Sequence, residues 1–328
     1  MSPQAGARVF VTRRLPGNAI KRLNDAATVD LWPDEMPPPY EELARRVAAC
    51  DAVICLLTDR IDRALIAGAP KLRAISNVAV GYDNIDIAAA TERGIPVGNT
   101  PGVLTETTAD LAFALMLSAA RRIVEADRFL REGRWRTWDL NLMLGYDLHG
   151  ATLGIVGYGE IGQAVARRAN GFGMRMLYTR AQPPAVSQDD GAATQVDLQT
   201  LLGESDFVSL HVPLTSATHH LIGDRELRAM KSTAVLVNTA RGAVLDQSAL
   251  ARALREGWIA AAGLDVMEVE PLPPGDPLLD APNLVLLPHI GSASHRTRER
   301  MAEIAVENCM RGLRGISMLH CVNPQVYD

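Results

Sequence analysis

The sequence predicts an α/β protein of two doubly wound parallel-sheet domains, on three observations. Apolar strand-like runs alternate with short helix-like segments along most of the 328 residues, the pattern of a parallel sheet covered on both faces. A strand, a glycine-rich turn and a helix follow one another at mid-chain, in TLGIVGYGEIGQAVA from Thr152 to Ala166. The alternation is interrupted after the first hundred residues and resumes at Gly150, and the length suits two domains.

In the first domain, Val9 to Thr12, Thr28 to Leu31, Ala52 to Leu56 and Leu72 to Asn77 read as strands. Asn18 to Ala27 and Tyr40 to Ala49 read as helices, and the Pro-rich Trp32 to Pro39 as a loop. A helix then runs to about Arg122, capped by Thr105, Thr107 or Thr108. Its Leu111, Phe113, Leu115, Met116 and Leu117 are too dense for one stripe, so it is buried on most sides. It reads as a link into the second domain and part of a subunit interface, or as a wholly internal helix. Phe129 to Leu148 carries Trp135, Trp138, Leu140, Leu142, Met143, Leu144 and Tyr146. An apolar segment of this kind marks an interface. It is expected to clasp a second subunit in a homodimer; packing back on its own chain is the alternative.

The second domain opens on the glycine turn. Gly157 permits a tight turn, Gly159 lets backbone approach a pyrophosphate, and Gly162 lets the helix sit close to its strand. Glu160 and Ile161 start that helix and complete the cofactor-binding set, where free N–H groups and the helix dipole favour an anion. An ordinary strand-to-helix turn is the competing reading. Six strands follow the Rossmann pattern: Leu153–Val156, Met174–Tyr178, Phe207–Val212, Ala234–Asn238, Ala262–Val266 and Leu284–Pro288. Helices at Ile161–Asn170, Leu198–Gly203, Asp224–Met230 and Gln247–Gly257 lie between them. The last helix, Ser294 to Leu313, is expected to return to the first domain. A discontinuous substrate domain (1–100 and 290–328) would then face a dinucleotide-binding domain (101–289) across a cleft.

Three strand ends in the second domain carry reactive groups. Arg241 follows one in NTARG, Asp265 to Glu270 follow the next, and His289 follows the last. Alone, each reads equally well as a salt-bridge arginine, a solvated acid or a satisfied histidine. Together they form a carboxylate clamp, an orienting acid and a proton donor. Guanidinium forks onto carboxylate, and a neighbouring carboxylate stabilises imidazolium. About 20 residues past the first glycine, an acid ordinarily binds the ribose 2′-OH. Here the chain reads Leu177-Tyr178-Thr179-Arg180-Ala181-Gln182. Thr179 and Arg180 suit a 2′-phosphate, so NADPH is expected over NADH, with NADH possible. A solvent-facing Arg180 would leave the protein indifferent.

Composition narrows the remaining classes. A net charge of −5 without a basic patch argues against nucleic acid and anionic membrane as partners. The longest apolar run, Leu111 to Ala120, is too short to span a bilayer, and the N-terminus lacks a secretory core, so a cytoplasmic location is expected. Cys50, Cys55, Cys309 and Cys321 are scattered and no metal site is expected. His211, at the end of the Phe207–Val212 strand, is expected to touch the cofactor; His219 and His220 have no convincing metal partners.

GYGEIG, NTARG, GLDVMEVEPLP and LLPHIGSAS, in this order and at these intervals, resemble the D-specific 2-hydroxyacid dehydrogenase family over nearly the whole chain. VFVTRRLP, CLLTDR and GSASHRTR are most similar to its glyoxylate/hydroxypyruvate reductases. The resemblance implies a flavodoxin-like substrate domain and reduction of small 2-ketoacids. It further implies that Arg241 holds the substrate carboxylate, that His289 protonates the keto oxygen and that Glu270 orients His289. Val80 and Gly81 would offer backbone N–H groups, Leu57 and Ser292 would line the pocket, and Trp138 would enter a partner's site. Asp265 would contact the nicotinamide end, with Pro213 and Thr239 along the cofactor. Another dehydrogenase of this fold and a dinucleotide-sensing corepressor-like protein remain as rivals.

Overall fold

The computed structural model describes residues 6–180 and 193–328; Ala181 and Gln182, in the stretch read for cofactor preference, lie outside them. The strands are β1 (Arg8–Val11), β2 (Thr28–Leu31), β3 (Ala52–Cys55), β4 (Ala74–Asn77), β5 (Val97–Gly98), β6 (Thr152–Val156), β7 (Arg175–Thr179), β8 (Ala193–Gln195), β9 (Phe207–Leu210), β10 (Val235–Asn238), β11 (Ala261–Leu264) and β12 (Leu284–Leu286). The helices are α1 (Ala19–Asn24), α2 (Tyr40–Ala48), α3 (Arg63–Ala67), α4 (Ile87–Glu92), α5 (Thr105–Ala120), α6 (Ile123–Arg131), α7 (Glu160–Gly171), α8 (Leu198–Glu204), α9 (Asp224–Ala229), α10 (Gln247–Glu256) and α11 (His295–Leu313). They form two compact units, Met1–Leu104 with Ser292–Asp328, and Thr105–Gly291.

The first unit has a five-stranded sheet in the order β2-β1-β3-β4-β5, with every pair parallel. Alternation along each strand sorts side chains to two cores. Phe10, Val53 and Ile75 face one side with Leu43 and Val47 of α2. Val9, Val11 and Ile54 face the other with Met301, Ala302 and Ala305 of α11. The chain reverses its winding between β1 and β3, a position at which ligands gather beyond the strand ends in such sheets.

The second unit has a seven-stranded parallel sheet, β12-β11-β10-β9-β6-β7-β8. Its winding reverses between β6 and β9. Helix α5 is consumed inside this unit: Phe113, Leu115 and Met116 join Leu153, Ile155 and Val237 in one core. A Cβ on Gly263 of β11 would lie 3.1 Å from that of Leu115, so helix and strand pack closely.

Several elements differ from the sequence reading, and α3 and α4 were not read from it at all. The second sheet has a seventh strand, β8, whose three residues lack an apolar run. β5 is a two-residue strand, too short for alternation to register. The helix read as running to Arg122 ends at Ala120; Arg122 is left-handed with φ 53°, and α6 follows as a separate helix. No side chain of α6 is buried. Residues 132–148 form neither helix nor strand, and within them Trp138 and Leu140 are 74% and 75% exposed.

Candidate active site

The parallel register of β10, β11 and β12 puts Arg241, Asp265 and His289 just past neighbouring strand ends at one sheet edge. The ladder continues beyond the strands: Asp265 N–H donates to Asn238 carbonyl at 3.0 Å, and His289 N–H to Asp265 carbonyl at 2.9 Å. Asn238, fully buried, shapes the NTARG turn. Its amide donates to the Arg241 carbonyl at 2.9 Å, and its Oδ1 accepts the Ala240 N–H at 3.0 Å.

His289 Nδ1 and Glu270 Oε2 are 2.7 Å apart. A carboxylate accepts only, so Nδ1 carries a proton and Nε2 is the nitrogen left for chemistry. The other Glu270 oxygen accepts the Met267 N–H at 3.0 Å. Burial pushes the Glu270 carboxyl up, but the bonds from His289 and Met267, with the His289 and Arg241 charges, outweigh it. The net result is a carboxyl held below its ordinary range, hence ionised near neutrality.

His289 is left-handed, with φ 55°, an uncommon conformation for a residue with a side chain. Asp265 supplies the compensation. Expected at the nicotinamide end, it is 1% exposed and turns both oxygens to backbone: Oδ1 accepts Ile290 N–H and Oδ2 accepts Gly291 N–H, each at 2.7 Å. Such charge-assisted bonds offset the roughly 1–3 kcal/mol cost of the turn. Burial raises the Asp265 carboxyl, partly countered by these N–H groups and the His289 charge.

The glycine turn fits a dinucleotide. Gly157 has φ 98°, and a Cβ there would lie 2.8 Å from the His211 backbone. A Cβ on Gly162 would meet the Gly157 carbonyl oxygen at 2.3 Å, whereas one on Gly159 would meet nothing within 4 Å. The Gly159 backbone is therefore open to a ligand. No side chain caps α7, which leaves its N-terminal N–H groups for an anion. The Glu160 carboxylate is turned aside, accepting from the Thr105 hydroxyl at 3.1 Å. The buried Thr239 hydroxyl has no hydrogen-bond partner among the described residues. Arg180 follows Thr179 at the end of β7 and donates to the Tyr158 carbonyl at 2.7 Å, which sets its guanidinium beside the turn. Pro213 is exposed. His211 is hydrogen-bonded to the Ser209 hydroxyl at 2.8 Å, and burial depresses its pKa to about 4.

In the first unit, Leu57 follows β3, and Val80 and Gly81 follow β4; all three are half-buried. Ser292 is half-buried, two residues before Ser294, whose hydroxyl caps α11. The polar side chains that shape both sites, Asn77, Asn99, Asn238 and Asp265 in its backbone role, were not singled out from sequence. The available signal was an Asn or Asp at or just past four strand ends.

Residues 113–291 match the family described as D-isomer specific 2-hydroxyacid dehydrogenase, NAD binding domain. The chain is 57% identical over 320 residues to a glyoxylate reductase of Korarchaeum cryptofilum, covering 97% of this chain and 96% of that protein. Among solved structures it is similar to the TT0316 protein of Thermus thermophilus, with TM-score 0.90 and 49% identity over 96% of this chain and 99% of that one. It is also similar to an NADPH-dependent glyoxylate/hydroxypyruvate reductase of Sinorhizobium meliloti in complex with NADP and malonate, with TM-score 0.86 and 32% identity over 97% and 98% of the two chains. The chain belongs to the D-isomer specific 2-hydroxyacid dehydrogenases, enzymes that use a nicotinamide dinucleotide.

Proposed function

We propose that the protein reduces small 2-ketoacids with NADPH, glyoxylate to glycolate and hydroxypyruvate to D-glycerate. The observation that carries this is the 2.7 Å pair of His289 and Glu270 beside Arg241, at the ends of strands in the sheet that also carries the dinucleotide turn. The glyoxylate reductase of K. cryptofilum and the S. meliloti enzyme support the choice of acid.

A bound nicotinamide dinucleotide supplies the hydride that reduces the keto carbon. Arg241 binds the substrate carboxylate as a fork and, with the Val80 and Gly81 N–H groups, fixes its orientation. His289 donates the Nε2 proton to the keto oxygen. Glu270 keeps Nδ1 protonated before and after that step, so the ring returns to neutral imidazole in one defined tautomer. Asp265 acts through the backbone turn that presents the ring. Leu57 and Ser292 line the pocket, and Pro213 and Thr239 flank the cofactor.

The preference for NADPH rests on Thr179 and Arg180 where an acid would repel a 2′-phosphate. A homodimer is the assembly proposed, with Trp138 reaching the second subunit's site. Its support is the uncovered apolar surface of α6 and of residues 132–148, where Ile123, Leu130, Trp135 and Leu140 are all exposed. Loss of nicotinamide absorbance tests the reading, with NADPH and NADH run in parallel against glyoxylate, hydroxypyruvate and pyruvate. Fast NADPH oxidation with the first two acids is expected. Faster NADH oxidation would overturn the role of Arg180, and no oxidation with any acid would overturn the proposed reaction.

A further inference from the structure

The loop after β4 has its carbonyls bound and its amides open. The Ala79 carbonyl accepts from Thr100 N–H at 2.8 Å. The Val80 carbonyl accepts from Asn99 Nδ2 at 2.8 Å, and the Gly81 carbonyl from Asn77 Nδ2 at 2.9 Å. The three peptides are trans, and in a trans peptide the N–H points opposite to the carbonyl. The N–H groups of Val80, Gly81 and Tyr82 are therefore turned away from those partners. Among the described residues none of the three donates a hydrogen bond. Three successive free N–H groups are rare in a folded chain and suit an anion.

Both asparagines are themselves fixed. Asn77 ends β4 and is fully buried. Its Nδ2 also donates to Asn84 Oδ1 at 3.1 Å, and its Oδ1 accepts the Cys55 thiol. Asn84 Nδ2 in turn donates to the Leu56 and Asp59 carbonyls, each at 3.0 Å, tying this loop to the one that carries Leu57. Asn99 follows β5, and its own carbonyl accepts from Asn308 of α11 at 3.0 Å. A flipped Asn77 or Asn99 would set oxygen against a carbonyl, so each amide has one workable orientation.

We propose that Asn77 and Asn99 are positioning residues for the substrate carboxylate, and that the Tyr82 N–H is a third donor beside those of Val80 and Gly81. Neither asparagine touches substrate; each turns a peptide so that its amide does. The inference rests on the 2-ketoacid reductase reading, yet it makes a separate claim about one loop.

The test uses the dinucleotide-loaded protein and oxamate, a 2-ketoacid mimic with a carboxylate. Titration of protein labelled with ¹⁵N at valine, glycine and tyrosine should move the Val80, Gly81 and Tyr82 amide resonances together. Asn99→Leu, close in size and without a donor, should raise the glyoxylate KM and the oxamate inhibition constant about tenfold. Its kcat and dinucleotide affinity should stay at the parent values, a split that general destabilisation would not produce. A parent-like KM and inhibition constant in Asn99→Leu, or an unmoved Tyr82 amide beside a moving Gly81, would overturn the proposal. If Asn99→Leu does not fold, the amide titration of the parent decides. Amides that move in a protein without ketoacid turnover would sink the reductase reading alone, whereas turnover with unmoved amides would sink this one alone.

Discussion

Gly242→Ala is the perturbation whose effect the structure fixes most closely. The added Cβ would lie 1.9 Å from the Met267 carbonyl carbon, 2.0 Å from its oxygen and 2.3 Å from Glu268 N. All three are backbone atoms, so no side chain can swing aside. Ordinary carbon contacts begin near 3.5 Å, and the Met267–Glu268 peptide must retreat by about 1.5 Å. Met267 also carries the N–H that anchors Glu270, and Glu270 anchors His289. The Glu268 side of the peptide is pinned as well, since Gln247 and Glu268 exchange two hydrogen bonds of 2.8 and 3.1 Å. A displacement of about 1 Å at a catalytic group costs on the order of 10²-fold in rate. The variant should lose about that much in kcat for glyoxylate reduction. Overpacking should remove about 1–3 kcal/mol of stability, read by thermal unfolding. Dinucleotide affinity, measured by fluorescence titration, should be retained. A folded variant with parental kcat would refute the idea that this peptide positions the proton donor.

Three further outcomes follow from the same geometry. Glu270→Gln keeps the shape but loses the charge beside the imidazole, and kcat/KM should fall about tenfold to 10²-fold in steady-state kinetics. Arg180→Leu should raise the KM for NADPH about tenfold or more and leave that for NADH unchanged, in parallel titrations of the two cofactors. His211 titrates near its ordinary 6.5 when unfolded and at about 4 when folded. The unfolded state therefore binds the extra proton between those values, and stability falls as pH drops from about 6.5 to about 4. The full difference is about 3 kcal/mol, and the residue's partial exposure brings it to about 2. Denaturant titrations of the parent and of His211→Gln across that range should show the variant losing less. Equal slopes in the two proteins would refute the assignment.

The parallel sheets were legible because their strands are continuous apolar runs: Ala52 to Leu56 and Phe207 to Val212 need no periodicity to be recognised. The glycine turn was legible because three glycines at fixed spacing have separate steric reasons, which the contacts of Gly157 and Gly162 bear out. β8 and α6 escaped for opposite reasons. β8 is three residues at a sheet edge with no apolar signature. α6 went unread: the preceding helix was ended at about Arg122, and nothing in Ala120-Arg121-Arg122-Ile123 announces a left-handed arginine from which a second helix starts. Arg241, Glu270 and His289 stood out as charged or titratable groups past strand ends. Asn77, Asn99 and Asn238 did not, because an asparagine that orients a carbonyl looks in sequence like any turn residue. Asp265 was read for the nicotinamide end; its bonds to Ile290 and Gly291 depend on a left-handed His289 that no local pattern predicts.

The central claim is that His289 donates the proton in 2-ketoacid reduction. The most direct measurement is the rate of NADPH oxidation by glyoxylate with the parent and His289→Gln side by side, together with NADPH affinity for each. A positioned general acid contributes about 10²- to 10⁴-fold, so the variant should lose that much in kcat while binding NADPH as the parent does. Parental turnover by His289→Gln would contradict the account.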